Sequence, residues 1–326
     1  MIDADVLLYF RGRRVLITGG TGLIGRQVVE ILAAAGARIR IVSLDDVTID
    51  GADHIRGDLT EFRFCREVTK DMDDVFHIAG IGASVSTSKT RIASHFVPTL
   101  MMNTNVLEAC RINGVARVVV TSSIGAYAPA AEFRESDYRL ESSPMDFAGW
   151  AKRMAEAQVY AYGVQYGLKN MVVVRPANVY GPGDNFDPSN ALVIPSLLYR
   201  IYHRENPLII WGDGSAIRDF VYSRDVAEGI IQALYYGTDG GFVNLGSGVP
   251  CSVRELAETL NSLLGIDYRF DETKPSGAPK RVMDISLARK RIRYEPTTTL
   301  REGLMKTWEW FVAHPSEYEK KMNYFR

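Results

Sequence analysis

Three glycines carry the clearest chemistry in this chain. Gly19, Gly22 and Gly25 lie in the run Val15-Leu16-Ile17-Thr18-Gly19-Gly20-Thr21-Gly22-Leu23-Ile24-Gly25, after an apolar strand-like stretch and before a helical pattern. A glycine turn between strand and helix presents backbone N–H groups and the positive helix end to an anion, which suits a dinucleotide pyrophosphate. Gly19 permits the tight turn, Gly22 lets the backbone approach the pyrophosphate, and Gly25 lets the helix pack close to the sheet. The strand-turn-helix setting says more than three glycines alone would. The end of the second strand should read the adenosine ribose, where an acid favours NAD. Ser43 holds that position, with Asp45 and Asp46 just beyond it. The two acids, without a nearby arginine cluster, tilt the cofactor towards NAD and leave NADP open; a solvated turn is their alternative role. Asp58, after Gly57, suits the adenine amino group.

The elements that must position these residues alternate. Val15–Thr18 reads as a strand, and 25–35 as a helix whose Ile24, Val28, Val29, Leu32 and Ala33 share one face. Gly36 closes that helix. Strands are expected at 39–42, 52–56, 74–78, 115–121 and 171–175, with long helices at about 95–113 and 147–166. Val6–Phe10 reads as a short strand or helix. This alternation argues an α/β fold, a Rossmann-type doubly wound parallel sheet. Beyond Arg175 prolines and glycines crowd in, and helices at 194–203, 226–236, 253–264 and 299–314 with a strand at 241–245 suggest a smaller C-terminal α/β substrate lobe. The expected division is 1–175 for the cofactor and 176–326 for the substrate, with some crossover of chain between the lobes.

Composition removes several function classes. In 326 residues, 38 basic and 39 acidic side chains leave a net charge of −1, so no nucleic-acid or membrane-surface partner is expected. Cys65, Cys110 and Cys251 are far apart without a CxxC spacing, which argues against a disulfide framework or zinc site and fits a reducing cytoplasm. No metal is expected. No apolar run approaches the roughly 20 residues that span a bilayer.

Taken in order, the motifs resemble the extended short-chain dehydrogenase/reductases, the NAD-dependent epimerase/dehydratase family acting on nucleotide sugars. The residues that carry the resemblance are Thr18–Gly25, Gly57-Asp58-Leu59, Phe76-His77-Ile78-Ala79-Gly80, Thr121-Ser122-Ser123, Lys152, Arg175–Gly183 and Arg218-Asp219-Phe220-Val221-Tyr222. They span nearly the whole chain. Asp184–Asn190 followed by Val193-Ile194-Pro195, and Lys274–Arg281, look most like the GDP-L-fucose synthase group. The resemblance implies a GDP-linked sugar, a homodimer built on the helices near 94–112 and 148–166, and a division of labour. Gly19, Gly22, Leu23, Ile24, Gly25, Ser43, Asp58, Leu59, Ala79, Lys152 and Pro176 would hold the cofactor. Thr121, Ser123 and Lys152 would serve the chemistry at sugar C4. Ser123, Asn178, Val193, Trp211, Arg218 and Arg281 would hold the nucleotide sugar, with the two arginines clamping the diphosphate.

The family places a tyrosine four residues before the lysine as the acid–base group on the 4-hydroxyl, its pKa lowered by the lysine charge. Here that position is Ala148. Two explanations stand: an engineered removal of the base, or a natural member with another proton acceptor or no C4 redox activity. The dehydratase Asp-Glu pair is replaced by Ile124-Gly125, and the Cys and His of the fucose-synthase epimerases by Gly125 and Leu192. Oxidation, reduction or 4-epimerisation at C4 is therefore the expected activity. A GDP-sugar 4,6-dehydratase and a catalytically silent nucleotide-binding protein are the alternatives.

Overall fold

Side chains alternate across each strand, and that alternation builds two cores. The computed structural model describes residues 2–82, 85–238, 240–323 and 325. Seven strands, β1 (Arg14–Thr18), β2 (Arg38–Ser43), β3 (Ala52–Arg56), β4 (Asp74–His77), β5 (Arg117–Thr121), β6 (Met171–Pro176) and β7 (Phe242–Leu245), form one parallel sheet. Val15 and Ile17 face one side of β1 and Leu16 the other; Val172 and Val174 likewise oppose Met171 and Val173 in β6. Helices Ala4–Phe10, Gly25–Ala34 and Ser223–Tyr236 cover the first face, and Phe62–Val68, Ile92–Ile112 and Phe147–Tyr166 the second. With both faces covered, the strands read as continuous apolar runs. A one-residue register slip would exchange the two cores, and each buried Val or Leu side chain is worth about 1.5–3 kcal/mol.

The order across the sheet is β7-β6-β5-β4-β1-β2-β3. It reverses between β1 and β4, so a crevice opens beyond the carboxyl ends of those two strands. Such a switch point is where open α/β sheets bind ligands. The glycine run leads out of β1 at that place.

After Pro176 the chain builds a third core, from residues including Tyr180, Phe186, Leu198, Phe220, Leu256 and Phe311. It then returns: Ser223–Tyr236 and β7 join the first sheet, and Ala288 and Ile292 of the helix Ser286–Ile292 pack on its first face. Most expected elements are present within a few residues, and Val6–Phe10 lies in a helix. The short strands Asn178–Tyr180, Ile217–Tyr222 and Lys280–Met283 escaped the sequence pattern. They pair with one another across large chain separations, a partner choice that local periodicity does not encode.

Candidate active site

The glycine loop is held by contacts that leave no room for side chains. Gly19 has φ +70°, and a Cβ there would lie 2.9 Å from the Ala79 Cα. A Cβ on Gly25 would sit 2.1 Å from the Gly19 carbonyl oxygen. Gly22 differs: the one close atom is that same oxygen, at 3.3 Å. The fold itself demands glycine at 19 and 25, whereas at Gly22 a Cβ would need the Gly19 carbonyl to give by a few tenths of an ångström. That cleft, of about 400 Å³, is lined by Gly19, Gly22, Leu23, Ile24, Gly25, Ser43, Leu59 and Ala79, all expected to hold a cofactor.

At the ribose end the acids are already engaged. Asp45 accepts from the Thr21 hydroxyl at 2.5 Å and from the Met322 N–H at 2.8 Å. Asp46 is exposed and pairs with Arg56 at 3.3 Å. Asp45 lines the cleft with these contacts in place and keeps further acceptor capacity, whereas Asp46 points to solvent. Ser43 pairs with His54 at 2.9 Å. Asp58 caps its own turn, accepting from the Thr60 N–H at 2.8 Å.

Lys152 and Ala148 lie one turn apart on Phe147–Tyr166, and so on one helix face. The helix starts where the Asp146 carboxylate accepts from the Gly149 N–H at 2.8 Å, and ends at Gly167 with φ +66°. Gly125 joins the elements: a Cβ there would lie 3.5 Å from Ser123 Oγ and 3.7 Å from Asp146 Oδ1. Ser123 Oγ accepts from the Gly125 N–H at 3.1 Å. Lys152 Nζ donates to the Thr121 carbonyl at 2.8 Å and lies 3.1 Å from where a Gly80 Cβ would be. Burial pushes its pKa down to about 8, partly opposed by Glu156. The Thr121 hydroxyl oxygen is buried without a partner.

Two buried networks fix this helix. His77 contacts the Thr18 hydroxyl at 2.8 Å and Asn103 Oδ1 at 2.9 Å, and the Asn103 amide donates to the Ala151 carbonyl at 3.2 Å. An N–H on His77 Nε2 facing the Asn103 carbonyl assigns the tautomer, so Nδ1 accepts from Thr18. Burial, aided by the Lys152 charge, pushes His77 down to about 3. Arg175 donates from Nε to Glu156 at 2.8 Å and stacks 3.7 Å over Phe242, while Ser122 donates to the same carboxylate.

In the second lobe, Arg218 and Arg281 are register neighbours on parallel strands. Arg218 donates to the Ala278 carbonyl at 2.7 Å, and burial together with the Arg281 charge lowers its pKa. A Cβ on Gly212, next to the exposed Trp211, would meet Ser276 at 2.7 Å, so Trp211 lies against the same 274–281 loop. Asn178 donates its amide to the Asp219 carbonyl at 3.0 Å. Val193 is exposed at the start of the helix Val193–Tyr202.

Residues 15–246 match the model of the NAD dependent epimerase/dehydratase family. The chain belongs to that family. It is 28% identical over 320 residues to a probable GDP-L-fucose synthase of Oryza sativa subsp. japonica, covering 93% of each chain. It is 32% identical over 322 residues to the dTDP-4-dehydro-6-deoxy-D-allose reductase of Streptomyces bikiniensis, covering 93% and 97%. Among solved structures, an epimerase from Methanothermobacter thermautotrophicus superposes with TM-score 0.87 at 28% identity, covering 97% of both chains. The UDP-N-acetylglucosamine 4-epimerase of Methanobrevibacter ruminantium M1 superposes with TM-score 0.81 at 26% identity, covering 93% and 99%.

This epimerase/dehydratase-family chain is a nucleotide-sugar enzyme with NAD as its cofactor. The cleft fits that group: the glycine loop leads into a helix N-terminus along its wall, and Lys152, bonded to one carbonyl, has further donors. Among the described residues no cluster of His, Cys, Asp or Glu could hold a metal. No helix among them is long and apolar enough to cross a membrane.

Sequence reasoning missed several lining residues. Ile81, Met102, Gly183, Tyr318, Lys321 and Asn323 all face the cleft. His95 was also missed; it is buried, bonded to the Ile81 carbonyl, and lies within the fields of Asp146 and Lys152. Gly183 falls in the Arg175–Gly183 motif without having been assigned a role, and no local motif marks the others.

Proposed function

We propose that this chain is a GDP-sugar oxidoreductase/epimerase acting at sugar C4, with its acid–base phenol missing at Ala148. The observation that carries the reading is the one-turn spacing of Ala148 and Lys152, with Ser123 ending the adjacent β5 strand region. When bound, the nicotinamide supplies the acceptor or donor of a hydride at C4. Ser123 holds the 4-oxygen by hydrogen bond, and Lys152 holds ribose hydroxyls. Arg218 and Arg281 clamp the diphosphate, two cations matching its charge. The proton on the 4-oxygen has to leave or arrive as hydride moves, and the Ala148 methyl group cannot carry it. Ile124 and Gly125 offer no acid or base for dehydration. GDP is favoured by the segments 184–190 and 274–281 and by the fucose-synthase relatives.

A second copy covers the helix pair Ile92–Ile112 and Phe147–Tyr166, where Val97, Met101, Met154, Tyr160 and Val164 are exposed. Five large apolar side chains exposed on one helix pair favour such an interface. Three free cysteines, two of them buried, suit the cytoplasm.

The test restores the phenol. Ala148→Tyr should raise NAD-dependent turnover of a GDP-sugar by about 100- to 10,000-fold over the present chain. Mass spectrometry of ligands released from the purified protein should show an NAD-type dinucleotide and a GDP species. A released UDP- or dTDP-sugar would overturn the GDP assignment. No gain from Ala148→Tyr across GDP-, UDP- and dTDP-sugars would overturn the C4 reading.

A further inference from the structure

After the helix Leu300–Ala313 the chain runs along the mouth of the dinucleotide cleft, which Tyr318, Lys321, Met322, Asn323 and Phe325 help to line. Its anchors come from both lobes. On the β2 side, the Asp46 N–H donates to the Lys320 carbonyl at 2.9 Å, and the Met322 N–H to Asp45 at 2.8 Å. On the other side, the Asn323 amide donates to Asp187 at 3.0 Å, and Lys321 Nζ to the Gly183 carbonyl. Glu317 pairs with Arg26, in the first turn after the glycine loop, and the Arg26 guanidinium also donates to the Thr21 carbonyl at 3.0 Å.

Lys321 stands out among these contacts. Its hydrogen-bond acceptor is a neutral carbonyl, and it forms no ion pair with a carboxylate among the described residues. Glu317 is spent on Arg26 and Asp45 on Thr21 and Met322. Asp184, which also lines the cleft and is 7% exposed, leaves Oδ2 buried without a partner. Burial pushes Asp184 up to about 7 and Lys321 down to about 8. An enclosed ammonium with spare donors thus lies within the field of Arg26, at the end of a helix that draws anions. Glu317, Asp45 and Asp184 lie near enough to act on its charge without pairing with it, and the anion that a dinucleotide brings to such donors is its diphosphate.

We propose that residues 317–323 and Phe325 are part of the dinucleotide site, with Lys321 donating to the cofactor diphosphate and the segment strapping the two lobes across it. The inference rests on the reading of this cleft as the dinucleotide site. It predicts that the strap strengthens binding instead of competing for the space.

The experiment titrates the full chain, freed of resident nucleotide, with NADH by fluorescence and with ADP and adenosine by calorimetry. Lys321→Met should weaken NADH and ADP about tenfold or more, as loss of a charged hydrogen bond does, and leave adenosine unchanged. Lys321→Arg should keep most of the affinity. Glu317→Gln loosens the strap from outside the cleft and should weaken NADH in the same direction, so the idea stays testable if Lys321→Met does not fold. Equal ADP affinity in Lys321→Met and the parent, or tighter NADH binding in Glu317→Gln, would overturn the inference. Failure of the parent itself to bind NADH or ADP would instead remove the dinucleotide reading of the cleft, and this inference with it.

Discussion

His77 offers a test of how the site is held together. It is 1% exposed, and burial with the Lys152 charge depresses its pKa from the ordinary 6.5 to about 3. In the unfolded chain the imidazole takes up a proton below about 6.5; in the folded chain it stays neutral down to about 3. Between those values the unfolded state binds more protons, so the stability His77 contributes is complete above its unfolded pKa and drains away as pH falls. One pKa unit corresponds to about 1.4 kcal/mol, so moving from pH 7 to pH 5 should cost about 2 kcal/mol through this residue alone. The assay is urea unfolding of the parent and His77→Gln at both pH values. Other groups titrate too, Asp184 with the opposite sign, so the quantity to read is the difference of differences. The variant should start less stable at pH 7 and lose about 2 kcal/mol less than the parent on acidification. Equal losses in the two proteins would refute the buried neutral imidazole and the direction assigned to the Thr18–His77–Asn103 hydrogen bonds.

Two further outcomes separate fold from function. Gly25→Ala forces a Cβ to 2.1 Å from a carbonyl oxygen, so unfolding should register a loss of about 1–3 kcal/mol, the usual cost of overpacking. Gly22→Ala should leave the melting temperature nearly unchanged and weaken NADH, and a reversed pattern in calorimetry would contradict the roles given to the two glycines. Val164 is 70% exposed, and Val164→Asp should convert a dimer to a monomer in light scattering behind size exclusion; a parent already monomeric would dismiss the interface.

How much of this could be read from the sequence depended on how local each signal was. The glycine loop was legible because strand, turn and helix follow one another within a dozen residues, and the sterics at Gly19 and Gly25 are local. The helix carrying Lys152 was legible from about Phe147 to Tyr166. Arg218 and Arg281 were picked out by resemblance, but their adjacency depends on two short strands pairing across some sixty residues, which no periodicity announces. Ser43 holds the ribose position by spacing, and Asp45 just beyond it lines the cleft while accepting from Thr21 and from a backbone N–H 277 residues away, a contact that no local pattern announces. The cleft lining from Tyr318, Lys321, Met322, Asn323 and Phe325, and His95, left no trace for the same reason: each matters through where the fold carries it.

The Glu156–Arg175 pair has a consequence for the lysine one turn away. Glu156 is the carboxylate that would favour a charged Lys152, but its oxygens are already committed to Arg175 and Ser122. Lys152 is thus left without a counter-ion of its own, and burial prevails at about 8. The ease with which Lys152 gives up its proton therefore depends also on the Arg175 guanidinium stacked over Phe242, because Arg175 holds the carboxylate that would oppose the effect of burial.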